Sequence, residues 1–94
     1  MERKQTITRV FIQFGQDVSK ELYLRGEGIP DLSWEKGIKI KHISPHEWVF
    51  ETNTIFSSGL FKVLINDEIY ELGENHPIYP GASIRINPKF PKTH

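Results

Sequence analysis

The chain contains no cysteine. Disulfides, thiolate metal sites and a cysteine nucleophile are therefore excluded, and a reducing compartment is compatible but not required. Net charge is also missing, since twelve basic residues balance twelve acidic ones. Nucleic-acid phosphates demand clustered positive charge, so no nucleic-acid partner is expected, and nothing favours an anionic membrane surface. No stretch approaches the ~20 apolar residues of a membrane span. The start, "MERKQTITRV", is charged with no apolar run behind it, so no secretory signal is expected. These features predict a cytoplasmic protein, or an extracellular one if the chain is a domain excised from a larger secreted protein. Helical periodicity is absent throughout, which removes the all-α and α/β classes.

What is present is a set of short strand signals in a chain of 94 residues, a length that suits one domain spanning 1–94. Such a chain buries roughly 60–65% of its unfolded surface and needs efficient packing to fold alone. Hydrophobic residues at 37% and charged residues at 26% are ordinary for a soluble globular protein. "TITRVFIQFG" (6–15) is rich in β-branched and aromatic residues, and "ELYLRG" (21–26) alternates Leu22 and Leu24 with Tyr23 and Arg25. "IKIKHI" (38–43) alternates isoleucine with lysine, and "EWVFET" (47–52) sets Trp48 and Phe50 on one face. "GLFKVLIN" and "IYELG" (59–73) suggest a hairpin, and "ASIRINP" (82–88) a last strand. The connections "GEGIPD", "SPHE" and "GENHPIYPG" carry the Gly, Pro, Asn and Asp that turns need. Six to eight short strands without a helix predict a single antiparallel β-sandwich, with a small barrel as the alternative.

The hairpin can be read residue by residue. In "FKVLINDEIYE", Phe61, Val63 and Ile65 share one face, with Lys62 and Leu64 on the other. A three-residue loop of Asn66, Asp67 and Glu68 pairs Ile65 with Ile69 and keeps the core face apolar. Tyr70 then shares the face of Lys62. A two-residue loop would turn Tyr70 inward with Ile65, so the inference depends on loop length.

Candidate chemistry is sparse. His42 and His46 have the i, i+4 spacing of a helical metal pair, but Pro45 between them forbids the helix, leaving two loop or strand-end histidines. Glu68, Glu71 and Glu74, with Asp67, cluster around the hairpin. A glycosidase needs two carboxylates across a cleft, one with a raised pKa, and a solvated edge is the plainer reading here. "RGEG" (25–28) leads into "IPDLSW" and not into a helix, so it lacks phosphate-loop geometry. "SSG" (57–59) is a turn, and no nucleophile elbow exists. No catalytic set emerges, and an enzyme is not expected.

The aromatics remain. Trp48 alternates as a core residue. Trp34, in "LSWEKG", alternates with nothing and follows a Gly-Ile-Pro-Asp turn. It is either folded back over the sandwich edge or displayed as a flat platform.

The pieces "FGQDVSKELYLRG", "PDLSWEKGIKI", "EWVFE", "FKVLIND" and "YELGENH" occur in an order that resembles the starch-binding domains of amylolytic enzymes. These are the family-20 type of carbohydrate-binding module and its glycogen-binding relatives. The likeness runs from Phe14 to Asn75, about two-thirds of the chain. It implies an immunoglobulin-like sandwich and α-glucan binding, with Trp34 and Tyr70 as the platform. It further implies that Lys62 and Asn75 bond sugar hydroxyls and that Trp48 is core. Position 70 is tyrosine where those domains usually carry tryptophan, serine replaces the glycine before Trp34, and Tyr23 and Tyr79 match a second site by residue type only. No metal or cofactor is implied. A catalytic partner domain or protein fits the resemblance, and the competing expectation is a protein-interaction or structural sandwich of the same fold.

Overall fold

A computed structural model of the chain describes residues 6–15 and 21–91, so residues 16–20 of the segment quoted above lie outside the described part. Among the described residues nine strands follow one another: β1 (Thr8–Gln13), β2 (Leu22–Glu27), β3 (Ile38–Lys39), β4 (Lys41–Ser44), β5 (Glu47–Thr52), β6 (Gly59–Ile65), β7 (Ile69–Tyr70), β8 (His76–Ile78) and β9 (Ser83–Ile86). They form two sheets. The first has the order β4-β5-β1-β9; the second has β3-β2-β6, with β7 and β8 both paired to the far side of β6. Among the described residues there is no helix long and apolar enough to cross a membrane.

Alternation decides which residues face inward. On the first sheet Val10 lies opposite Phe50 and Ile12 opposite Trp48, and all four are buried. On the second, Leu22 and Leu24 of β2 lie opposite Ile65 and Val63 of β6, with Phe61 one pleat further on. These side chains join one apolar cluster, closed by Ile29, Leu32, Ile40 and Ile78, so the two sheets share a core. Burying a Leu, Ile or Phe side chain contributes about 1.5–3 kcal/mol each, which is the main favourable term in a chain with no covalent cross-link.

Three features differ from the sequence expectation. Pairing is not wholly antiparallel, because β1 and β9 run parallel, with Val10 beside Ile84 and Ile12 beside Ile86. Parallel neighbours need a long connection, and the first and last strands have nearly the whole chain between them. The described residues hold nine strands and not six to eight, in part because "IKIKHI" is two strands. Ile38 pairs with Leu24 in the second sheet, whereas Lys41 pairs with Val49 in the first. Buried Ile40 is the crossing point, its N–H donating to the Leu22 carbonyl at 3.0 Å. The other addition is β8, inside the segment "GENHPIYPG" that the sequence suggests is a turn. As an edge strand it tolerates Pro77, which has no N–H to donate.

The hairpin has the three-residue loop. Ile65 pairs with Ile69 and Leu64 with Tyr70, while Glu68 N–H donates to the Ile65 carbonyl at 2.9 Å. Asn66 and Asp67 take left-handed φ values of 53° and 57°, a conformation these two residue types tolerate. Leu64 faces away from the core yet is fully buried, between the paired positions of Tyr23 and Tyr70.

Candidate functional site

The outer face of the second sheet carries the polar and aromatic residues of interest. Alternation places Tyr23, Arg25 and Glu27 of β2 there, beside Lys62 and Leu64 of β6 and Tyr70 of β7. Arg25 pairs directly with Lys62, so two cations lie side by side on one face. Like charges at paired positions repel. Each is answered by its own oxygen atoms.

Arg25 is answered by the hairpin turn. Its Nε donates to Asp67 Oδ1 at 2.9 Å and its Nη2 to the Asp67 carbonyl at 3.1 Å. Its Nη1 donates both to the Trp34 carbonyl at 3.0 Å and to the Tyr70 hydroxyl at 3.1 Å. The guanidinium carbon also stands 5.7 Å from the Tyr70 ring centre, within cation–π range. The Arg25 hydrogen bond holds the Asp67 carboxyl below the usual carboxylate range, with the Gly37 N–H adding to the effect at 3.2 Å from Oδ2. Asp67 in turn raises Arg25 above its ordinary value.

Lys62 is answered by carbonyls. Its Nζ donates to Glu71 O at 2.8 Å and to Gly73 O, pinning the excursion between β7 and β8. Asn75 is exposed in that same excursion, immediately before β8. Among the described residues the Glu71 and Gly73 carbonyls are the acceptors of Lys62, and an ammonium has three N–H groups.

Glu71 corrects the expectation of a solvated acidic edge. Glu68 and Glu74 are exposed, but the Glu71 side chain is only 2% exposed. Its Oε1 accepts from the Val63 N–H at 2.9 Å and from His76 Nε2 at 2.8 Å, while its own N–H donates to Val63 O at 3.0 Å. The carboxylate thus stands in for the strand that β6 lacks between β7 and β8. Because a carboxylate only accepts, the His76 Nε2 facing it carries the proton.

Trp34 sits in the bend between β2 and β3. Buried Ile29 and Leu32 anchor that bend, and Gly26 N–H donates to the Ser33 carbonyl at 3.3 Å. The indole is half-buried, and its Nε1 donates to Glu27 Oε1 at 2.8 Å. Tyr70 is 42% exposed. Glu27 is level with Leu60 and Tyr70 with Leu64, four residues along β6, or about 13 Å of strand. The Trp34 carbonyl and the Tyr70 hydroxyl nevertheless share Arg25 Nη1, so the two segments meet beside it while the indole is turned toward Glu27.

Trp34, Lys62 and Tyr70 therefore converge around Arg25, and Asn75 lies on the loop that Lys62 holds. Trp48 is core, as expected, and His42 stacks on it with ring centres 4.3 Å apart and planes at 9°. No group of three or more His, Asp or Glu side chains is placed to hold a metal ion among the described residues. Tyr23 is level with Leu64, whereas Tyr79 follows Ile78, which is level with Gly59. That separation, about 20 Å along the strand, prevents the two from forming one stacking surface. Sequence reasoning missed Arg25, Asp67, Glu27 and Gly37. The outward alternation of Arg25 with Tyr23 was the available signal, but "RGEG" invited only a phosphate-loop comparison.

Searches with protein-family models and against curated proteins give no match. The functional reading consequently rests on the residues of this face and on the resemblance noted above.

Proposed function

We propose that this chain is a non-catalytic carbohydrate-binding module for α-glucans such as starch, glycogen or maltooligosaccharides, built on an immunoglobulin-like sandwich. One observation carries the reading: a single nitrogen, Arg25 Nη1, bonds both the Trp34 carbonyl and the Tyr70 hydroxyl. The segments bearing the two aromatics thereby meet on the sheet face that also presents Lys62. Pyranose rings offer flat C–H faces that pack on aromatic π-surfaces, and their hydroxyls need donors and acceptors nearby. Trp34 and Tyr70 are the stacking residues, with Lys62 and Asn75 bonding hydroxyls. The strand levels of Glu27 and Tyr70, about 13 Å apart, give this face room for an oligosaccharide. A shallow surface of this kind supports a Kd from tens of micromolar to millimolar, or about −4 to −6 kcal/mol.

The competing reading is an interaction or structural domain of the same fold, and the half-burial of Trp34 with its N–H bonded to Glu27 favours it. Trp34→Ala separates the two. As a platform residue, its loss abolishes maltoheptaose binding and lowers stability by no more than about 1 kcal/mol, the value of one net hydrogen bond. As a packing cap, its loss destabilises the fold by about 3 kcal/mol or more. Calorimetric titration and thermal melting of the same sample read both.

A further inference from the structure

Arg25 has no place among the sugar-contacting residues, yet it touches more of the face than any of them. A guanidinium has five N–H groups. Four of the Arg25 set are engaged within the protein, by Asp67 Oδ1, the Asp67 carbonyl, the Trp34 carbonyl and the Tyr70 hydroxyl. A group so occupied has little left with which to recognise a ligand. What it does have is a connection to two separate segments of chain. Asp67 closes the circuit, because its Oδ2 accepts from the Gly37 N–H at the far end of the Trp34 bend. The approach is close enough that a Cβ on Gly37 would lie 2.1 Å from Asp67 Oδ1 and 3.1 Å from Tyr23 Cβ. Any side chain at 37 would displace the Asp67 carboxylate from its place between Arg25 and the Gly37 N–H.

We infer that Arg25 is a positioning residue: it makes the Trp34 bend and the β6–β7 turn one mechanical unit, which fixes the span between the two aromatics before a ligand arrives. The purpose of the unit rests on the glucan reading; the coupling itself does not. A prepositioned pair avoids the ordering that each free side chain and loop otherwise loses on binding. Lysine cannot replace arginine here, since a point charge lacks the planar fork that reaches four acceptors at once.

The test uses the whole chain, labelled with nitrogen-15, as wild type, Arg25→Lys and Tyr70→Phe. Two tryptophans give two indole N–H resonances, so core Trp48 serves as an internal control for damage to the fold. In free Arg25→Lys, the Trp34 indole and the Tyr70 ring should both shift, and Trp34 N–H exchange should quicken, while Trp48 stays in place. Affinity for maltoheptaose should fall about tenfold, the effect of losing one preordered segment. Tyr70→Phe removes one oxygen and serves if Arg25→Lys does not fold. It should shift the Trp34 indole through the shared Arg25 nitrogen. An unmoved Trp34 indole in the folded variants overturns the inference, whatever the sugar does. Coupling without any maltoheptaose binding by the wild type supports the positioning role and removes the glucan reading.

Discussion

At the scale of single residues, the two acidic groups Glu71 and Asp67 do different work. Glu71 satisfies a buried backbone N–H on β6 that no strand reaches. Glu71→Ala leaves that donor unpaired and should destabilise the protein by about 1–3 kcal/mol, whereas Glu71→Gln keeps an acceptor and should lose less. Denaturant unfolding of both variants measures the difference, and equal losses would contradict the role. Asp67 acts through charge. Its carboxyl is held below its ordinary range by Arg25, so the folded state binds this proton less readily than the unfolded state. The resulting stabilisation is fully present above the unfolded carboxylate pKa of about 3.9. It disappears as the pH falls from there through the lowered folded value. Melting temperatures recorded from neutral to acid pH should converge for wild type and Asp67→Asn at the acid end. A constant gap between the two curves would assign Asp67 no titrating role.

At the scale of elements, β2 and β6 form the plate on which the face is built. Gly26 lies opposite Phe61, and a Cβ there would sit 2.2 Å from the Leu60 carbonyl oxygen and 2.9 Å from Leu32 Cδ1. Gly26→Ala must push the Trp34 bend or the neighbouring strand outward, at about 1–3 kcal/mol. Hydrogen exchange should show faster opening of β2 and β6 amides in this variant, with β1 and β5 less affected; uniform protection would count against the close approach. Gly26 of "RGEG" is thus explained by strand packing and not by a phosphate. The same plate shows what the sequence revealed. Period-two alternation marks the inward residues of β2, β5 and β6, and loop length determines the side on which Tyr70 falls. Glu71 lies two residues after Ile69 and is buried, but a charged residue there reads as solvated because the groups that satisfy it, the Val63 N–H and His76, come from other strands. The break at Ile40 was hidden for a related reason. An Ile-Lys repeat looks the same whether it stays in one sheet or passes between two.

At the scale of the whole molecule, two sheets share one core, and the outer face of β2, β6 and β7 gathers the polar and aromatic residues. The Trp34 bend and Tyr70 meet at Arg25 on this face, with Lys62 and the Lys62-pinned excursion of Asn75 beside them. Long-range contacts such as Arg25–Asp67 assemble this face, and no motif in the linear chain announces them. The central claim is that the assembled face binds an extended α-glucan. It is tested most directly by titrating the nitrogen-15-labelled wild type with maltoheptaose, following the two tryptophan indoles, with cellohexaose and glucose as controls. Saturable movement of the Trp34 indole with maltoheptaose alone, at tens of micromolar to millimolar sugar and with Trp48 unmoved, is the predicted result. A well-folded sample whose Trp34 indole stays fixed at millimolar maltoheptaose would contradict the claim and leave the face as scaffold or as a protein-binding surface.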